Sequence, residues 1–268
     1  MSVPPPQTAP PTPRGHVQEG FAWWSPFAAL FCAYAAAIVF AAILAGATGN
    51  ADGGDLPPGV ILGATFIQDV LLVVAMVMFA RLSGASTSPA AFGLRKVPPG
   101  RALALAAVAF VVFYAFLLAW SQLDTGAKDD LAKDLGAKDS TLALIAVAVL
   151  VGIVAPIVEE LFFRGFLFGA LGRVMHWFPA ALATGVVFGG VHAGGTPAIF
   201  LVPLALLGVL LCALYRRTGS LLPGMGVHAF NNALALGVSL HWSFDEVLLG
   251  VFVAPLAVLT IAGQVADR

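Results

Sequence analysis

The sequence predicts an all-α fold: a polytopic membrane helix bundle of about eight transmembrane helices. Three observations predict it. Of 268 residues, 60% are hydrophobic and only 10% charged, and the mean hydropathy of +0.95 lies far outside the soluble globular range. Apolar runs of bilayer-spanning length recur along the chain. The period-2 alternation of a barrel strand is absent, and in lipid the helix is the remaining way to satisfy the backbone.

The elements follow in order. Residues 1–20, containing "SVPPPQTAPPTPRG", read as a disordered, Pro-rich tail. Trp23 and Trp24 then open a span of more than 20 apolar residues, which is a membrane crossing rather than the short core of a signal peptide. The predicted spans are 23–47, 59–80, 102–121, 141–163, 178–194, 198–215, 221–240 and 247–263. Residues 21–268 thus form one transmembrane domain, with its polar motifs within 140–240. The fourth helix is expected to continue to about 175, with Pro156 as its kink point.

Charge sets the orientation. With the N-terminus inside, Arg14, Arg81, Arg95, Lys96, Arg101, Arg173, Arg216, Arg217 and Arg268 fall on the inner side. Only Lys128, Lys133 and Lys138 fall outside, in a loop that also holds five aspartates. The bias predicts both termini in the cytoplasm. The outer loop, "AKDDLAKDLGAKDS", places Asp129–Lys133 and Asp134–Lys138 at acid-first helical spacing, so a solvated or interfacial helix is expected. Cys32 and Cys212 sit in different apolar spans and predict membrane packing, with no disulfide framework and no metal pair. A net charge of −1 gives nucleic acid no footing. Abundant Ala and Gly with few Lys suggest a GC-rich bacterial genome, and hence the inner (plasma) membrane.

Against this background "VEELFFRG", residues 158–165, is anomalous. Each charge there costs about 2.5–3.5 kcal/mol at the centre of a membrane helix. Glu160 and Arg164 are four apart and share a face, so a structural ion pair is expected. Glu159 points about 100° away and has no partner at helical spacing, which makes it a candidate base. Snorkelling at the membrane surface would suit long basic side chains but suits adjacent short carboxylates poorly.

Two further spans carry histidine: His192 in "VVFGGVHAGG", and His228 in "GMGVHAFNNA" with Asn232 four residues on. Counted from the turn near 176, Glu159 and His192 both lie roughly 25 Å along their helices. From the turn near 218, His228 lies roughly 15 Å along and Asn232 roughly 21 Å. Three helices can therefore bring a carboxylate, two imidazoles and an amide to one level. Gly185-x3-Gly189 is a close-packing motif, and Gly190, Gly194 and Gly195 leave room beside His192. His16 is in the tail, and His176 and His241 adjoin Trp177 and Trp242 as interface anchors. Asn232 is preferred over Asn231 because it shares the His228 face.

Glu159-Glu160-x3-Arg164, Phe188-x3-His192 and His228-x3-Asn232 resemble the three ordered motifs of the CAAX-processing and bacteriocin-processing (CPBP, or Abi) family of intramembrane endopeptidases, which includes the Ras-converting enzyme. Each motif is weak alone. All three in order on separate spans are specific. The resemblance covers about residues 140–240; the first three spans match only in being apolar. It implies an eight-helix membrane core and peptide-bond hydrolysis of glutamic type. It also implies that Glu159 activates water with help from His192, that His228 and Asn232 form an oxyanion hole, and that Glu160 and Arg164 are supporting residues.

Amide hydrolysis needs an activated water and a stabilised tetrahedral oxyanion, which a carboxylate, imidazoles and an amide can supply. The expected substrate is a membrane-associated peptide or protein. No cofactor is expected. Zinc is the alternative, since Glu and His are adequate ligands, but the HExxH pattern is missing. Two other functions fit the composition: a non-catalytic scaffold or immunity-type protein on the same fold, and a proton-coupled transporter. The latter lacks an inverted repeat.

Overall fold

The computed structural model describes residues 20–49, 56–123, 126–127 and 131–267. The Pro-rich tail therefore lies outside the described residues except for Gly20, as do Lys128, Asp129 and Arg268. Nine helices occur among the described residues: α1 Ser25–Ala47, α2 Pro58–Leu82, α3 Pro99–Trp120, a short α4 Leu131–Asp134, α5 Thr141–Leu171, α6 Trp177–Gly190, α7 Ala198–Thr218, α8 Leu222–Ser239 and α9 Phe244–Ala266. No strand occurs among them. The chain is an integral, multi-pass membrane protein. Rows of exposed apolar side chains, such as Phe31 and Ile38 on α1, Leu103 and Val111 on α3, and Phe252 and Leu256 on α9, face the lipid.

Eight of the nine helices coincide with the expected spans. Six are long and apolar enough to cross a bilayer by themselves. Of the other two, α6 carries Gly185 and Gly189 and α8 carries His228, Asn231 and Asn232. α6 has 14 residues and stops at Gly190, short of the expected 194. His192 consequently lies in a turn, not on a helix; its N–H bonds the carbonyl of Gly189. The run Gly189-Gly190 weakens the helix, and Gly194, at φ 100°, supplies a backbone that other residues rarely adopt.

The loop helix is also shorter than expected. α4 has only four residues. Gly136, at φ 81°, ends it: the N–H of Ala137 returns to Ala132 and that of Gly136 to Lys133, a left-handed helix stop. Lys138 is therefore not one helical turn from Asp134. Ala132, Leu135 and Ala137 are buried in a small cluster with Val147 and Leu236, so this segment packs onto the bundle.

α5 is central and irregular. Its segments Leu150–Val154 and Glu160–Phe168 are π-helical, with the α-helical turn Ala155–Glu159 between them. The N–H of Ala155 bonds the carbonyl of Leu150, five residues back. In that register the carbonyl of Val151 would receive the N–H of residue 156, which is Pro156 and has none. The proline thus leaves one orphan carbonyl in the middle of the bundle. The wide second stretch buries Phe162, Phe163 and Phe166, which pack edge to face on one another.

The α6–α7 hairpin holds the close contact expected of Gly185 and Gly189. A Cβ on Gly185 would meet the Ala205 carbonyl at 2.5 Å, and one on Gly189 the Leu201 carbonyl at 2.6 Å. From the facing helix, Gly208 lies against Gly185. Backbone-to-backbone packing of this kind substitutes for a hydrophobic driving force in lipid.

Candidate active site

Glu160 and Arg164 form the expected pair: Nη1 to Oε1 is 2.8 Å, with side chains 1% and 0% exposed. The guanidinium also lies 4.4 Å from the centroid of Phe188, so its flat face is spread over an aromatic ring. A charge pair this deeply buried needs further hydrogen bonds. His228 supplies one, its Nδ1 lying 3.0 Å from Oε1 of Glu160. Gly224 makes room for the same carboxylate, since a Cβ there would stand 3.0 Å from Oε2.

His228 also reaches the other glutamate. Its Nε2 is 3.6 Å from Oε2 of Glu159. The two carboxylates leave α5 in different directions, yet one imidazole from α8 meets both. Glu160, ion-paired with Arg164, is a carboxylate that can only accept, so Nδ1 of His228 is the donor to it. This puts a proton on Nδ1 and turns Nε2 towards Glu159. The Glu159 side chain, 19% exposed, is the more accessible of the pair. His228 is 3% exposed.

His192 approaches from the turn after α6. Its Nδ1 is 2.7 Å from the Phe188 carbonyl, an oxygen that can only accept. Nδ1 therefore carries the proton and Nε2 is the free nitrogen. The Phe188 ring is fully buried and touches both imidazoles edge to face, at 5.1 Å from His192 and 5.7 Å from His228. Phe188 thus spaces the two histidines and backs Arg164.

Asn232, one turn beyond His228 on α8, donates Nδ2 to the carbonyl of Val151 at 2.9 Å. This is the carbonyl orphaned by Pro156. Its Oδ1 faces Nδ2 of Asn231 at 3.4 Å, and Asn231 in turn accepts from the Tyr114 hydroxyl at 3.0 Å. One N–H of the Asn232 amide is therefore committed to structure, leaving the second. Asn231, set aside on helical phase, belongs to this relay.

The first two helices contribute as well, which their apolar character did not suggest. Asp69 on α2 is 5% exposed, and its Oδ2 has no hydrogen-bond partner. Next to it, Gln68 donates to the Tyr34 hydroxyl on α1 at 3.4 Å. A signal for Asp69 was present in the sequence: it is the only acidic residue in its span, where an ionisable group marks function by default. Among the described residues, no three His, Cys, Asp or Glu side chains are grouped to hold a metal ion. Cys212 is buried, whereas Cys32 is exposed on α1.

The geometry is that of a polytopic membrane protein with an interior acid–imidazole cluster. Residues 141–234 match the family model described as type II CAAX prenyl endopeptidase Rce1-like. This segment runs from the start of α5 into α8 and contains Glu159, Glu160, Arg164, His192, His228 and Asn232. It is consistent with the CPBP resemblance of the three motifs and, at the level of the family, with a membrane protease. Comparison with curated proteins and with solved structures gave no match.

Proposed function

We propose that the chain is a glutamic-type intramembrane endopeptidase that hydrolyses a peptide bond of a membrane-associated protein or peptide with water activated by Glu159. The observation that carries this reading is the 3.6 Å approach of His228 Nε2 to Glu159 Oε2, beside a second carboxylate already neutralised by Arg164. The more exposed glutamate is thereby left to accept a proton.

In the proposed reaction Glu159 takes one proton from water as the water oxygen bonds to the scissile carbonyl carbon. The carbonyl electron pair moves to oxygen, where Nε2–H of a protonated His228 and the free N–H of Asn232 face it as donors. The C–N bond then breaks as the oxyanion collapses, and the leaving amine takes the proton held by Glu159. His192, with Nδ1 donating to the Phe188 carbonyl, offers Nε2 as an acceptor that orients the water. Glu160 and Arg164 hold His228 in place. In the same reading the catalytic residues belong to one transmembrane domain spanning residues 21–268, in a bacterial plasma membrane, with the 1–20 tail and both termini in the cytoplasm.

The test uses purified protein in lipid nanodiscs and an internally quenched peptide ending in a prenylated CAAX sequence. Wild type cleaves it, and Glu159→Gln and His228→Ala each lower the rate by about 10²–10⁴-fold without loss of fold. Cleavage by Glu159→Gln at the wild-type rate overturns the proposal. Full activity in strong chelator separates the glutamic mechanism from a zinc one.

A further inference from the structure

Tyr114 stands among the apolar residues of α3. That helix lies outside residues 141–234, the segment matched by the family model, and the reaction proposed above takes nothing from it. Yet the Tyr114 hydroxyl reaches Oδ1 of Asn231 on α8 at 3.0 Å. The phenol ring stacks on Phe110 at 4.3 Å between centroids, and Phe110 meets Phe230 edge to face. Two aromatic rings therefore already join α3 to α8, and the contact needs no hydroxyl to hold it. What the hydroxyl completes is a relay whose direction is set at the far end. The Val151 carbonyl can only accept, so Nδ2 of Asn232 donates to it at 2.9 Å. Oδ1 of Asn232 is thereby turned to Nδ2 of Asn231, at 3.4 Å, and Oδ1 of Asn231 is turned to Tyr114. A hydroxyl can give or take a hydrogen bond; here it gives.

We propose that Tyr114 is a positioning residue for Asn232: through Asn231, its hydroxyl fixes the plane of the Asn232 amide and so the direction of the one N–H left for the oxyanion. This rests on Asn232 being an oxyanion donor. An amide tied at one end only can turn about its last torsion, which has no sharp staggered wells. Tied at its oxygen and at one N–H together, it has one plane, and its second N–H has one direction. Such a donor is set before the reaction begins, which is what makes a hydrogen bond effective on a developing charge. Without the Tyr114 hydroxyl, Oδ1 of Asn231 loses its donor, the Asn231 amide is free to turn, and Oδ1 of Asn232 loses its anchor in turn. Tyr114 itself touches neither substrate nor water in this arrangement.

Kinetics with the quenched prenylated peptide and thermal melts, both in nanodiscs, test this. Tyr114→Phe removes one oxygen and keeps the ring. It is expected to lower kcat about 10–10²-fold at unchanged KM, because a misaligned oxyanion donor weakens the transition state and not the bound substrate. Asn231→Leu breaks the relay one link nearer and gives at least the same loss. In the Asn232→Leu background neither change lowers the remaining rate further, since the group they act through is gone. Wild-type kcat in Tyr114→Phe, or a loss that multiplies with that of Asn232→Leu, overturns the proposal. Should Tyr114→Phe fail to fold, Asn231→Leu, alone and with Asn232→Leu, decides by the same two criteria. The melts need no substrate. The double variant Tyr114→Phe with Asn232→Leu is expected to lose less melting temperature than the two singles summed, as members of one hydrogen-bond network do. Additive losses overturn the relay itself. Failure of the oxyanion assignment reads differently, as full cleavage by Asn232→Leu with the melts still coupled.

Discussion

Nδ1 of His228 lies 3.0 Å from Oε1 of Glu160, the oxygen that Nη1 of Arg164 also meets, at 2.8 Å in an ion pair. One carboxylate oxygen therefore ties α8 to a charge pair internal to α5, and it aims the other face of the imidazole at Glu159. Replacing His228 by Ala removes both the tie and the Nε2 group. The peptide-cleavage rate is expected to fall about 10²–10⁴-fold, while the fold persists because Glu160 keeps Arg164. Rates and thermal melts on the same nanodisc sample check this. A melting temperature that collapses together with the rate would assign His228 to structure alone.

Arg164 is expected to be the costliest side chain of the cluster to remove. Arg164→Ala leaves the Glu160 carboxylate charged in a site 1% exposed, and breaking a buried pair from one side costs about 3–5 kcal/mol. The double replacement Glu160→Gln with Arg164→Met, of similar volume and without net buried charge, should melt above Arg164→Ala. Equal melting of the single and the double variant would show that the aromatic contact with Phe188, not the charge pair, holds the guanidinium.

How much of this was legible depended on range. Glu160 and Arg164 could be paired by spacing because one helix sets their geometry, and that holds even in the wider π-helical turn. The contact of His228 with Glu160 joins residues 68 apart. Counting rise per residue matched the level of Glu159 with His192 and brought His228 and Asn232 towards it, but did not show which carboxylate each ring nitrogen of His228 would meet, since that depends on how α8 is rotated against α5. Hydropathy continues past Gly190 and so extends the expected helix over His192; the glycine run, not polarity, ends it. Asn232 was matched with His228 on one helix face, and its structural bond to Val151 was hidden because hydropathy carries no sign of a π register. Asp69 was visible as an isolated charge, yet its burial against α5 is a tertiary fact.

The α6–α7 hairpin gives a prediction independent of chemistry. Gly189 faces the Leu201 carbonyl and the Ala205 backbone, so a side chain there must push the helices apart. Gly189→Leu is expected to destabilise by about 1–3 kcal/mol or more through overpacking, and to displace Phe188, hence both imidazoles. Gly190 has nothing within 4 Å of its Cβ position, so Gly190→Ala should melt like wild type. A reversed order of melting temperatures would contradict the packing described.

The bond from Asn232 to Val151 allows a double-variant cycle that separates its structural part from any catalytic one. Asn232→Leu strands the Val151 carbonyl inside the bundle, at an expected cost of about 1–3 kcal/mol. The carbonyl is free only because residue 156 is proline, and Pro156→Ala restores the missing N–H at the position the π register requires. In the double variant that N–H takes the carbonyl, so most of the stability lost through Asn232→Leu returns, although the amide is still absent. Thermal melts of wild type, both singles and the double read the coupling, and additive losses would disprove it. Recovery of the fold without recovery of peptide cleavage would then assign to Asn232 a second task beyond tying α8 to α5.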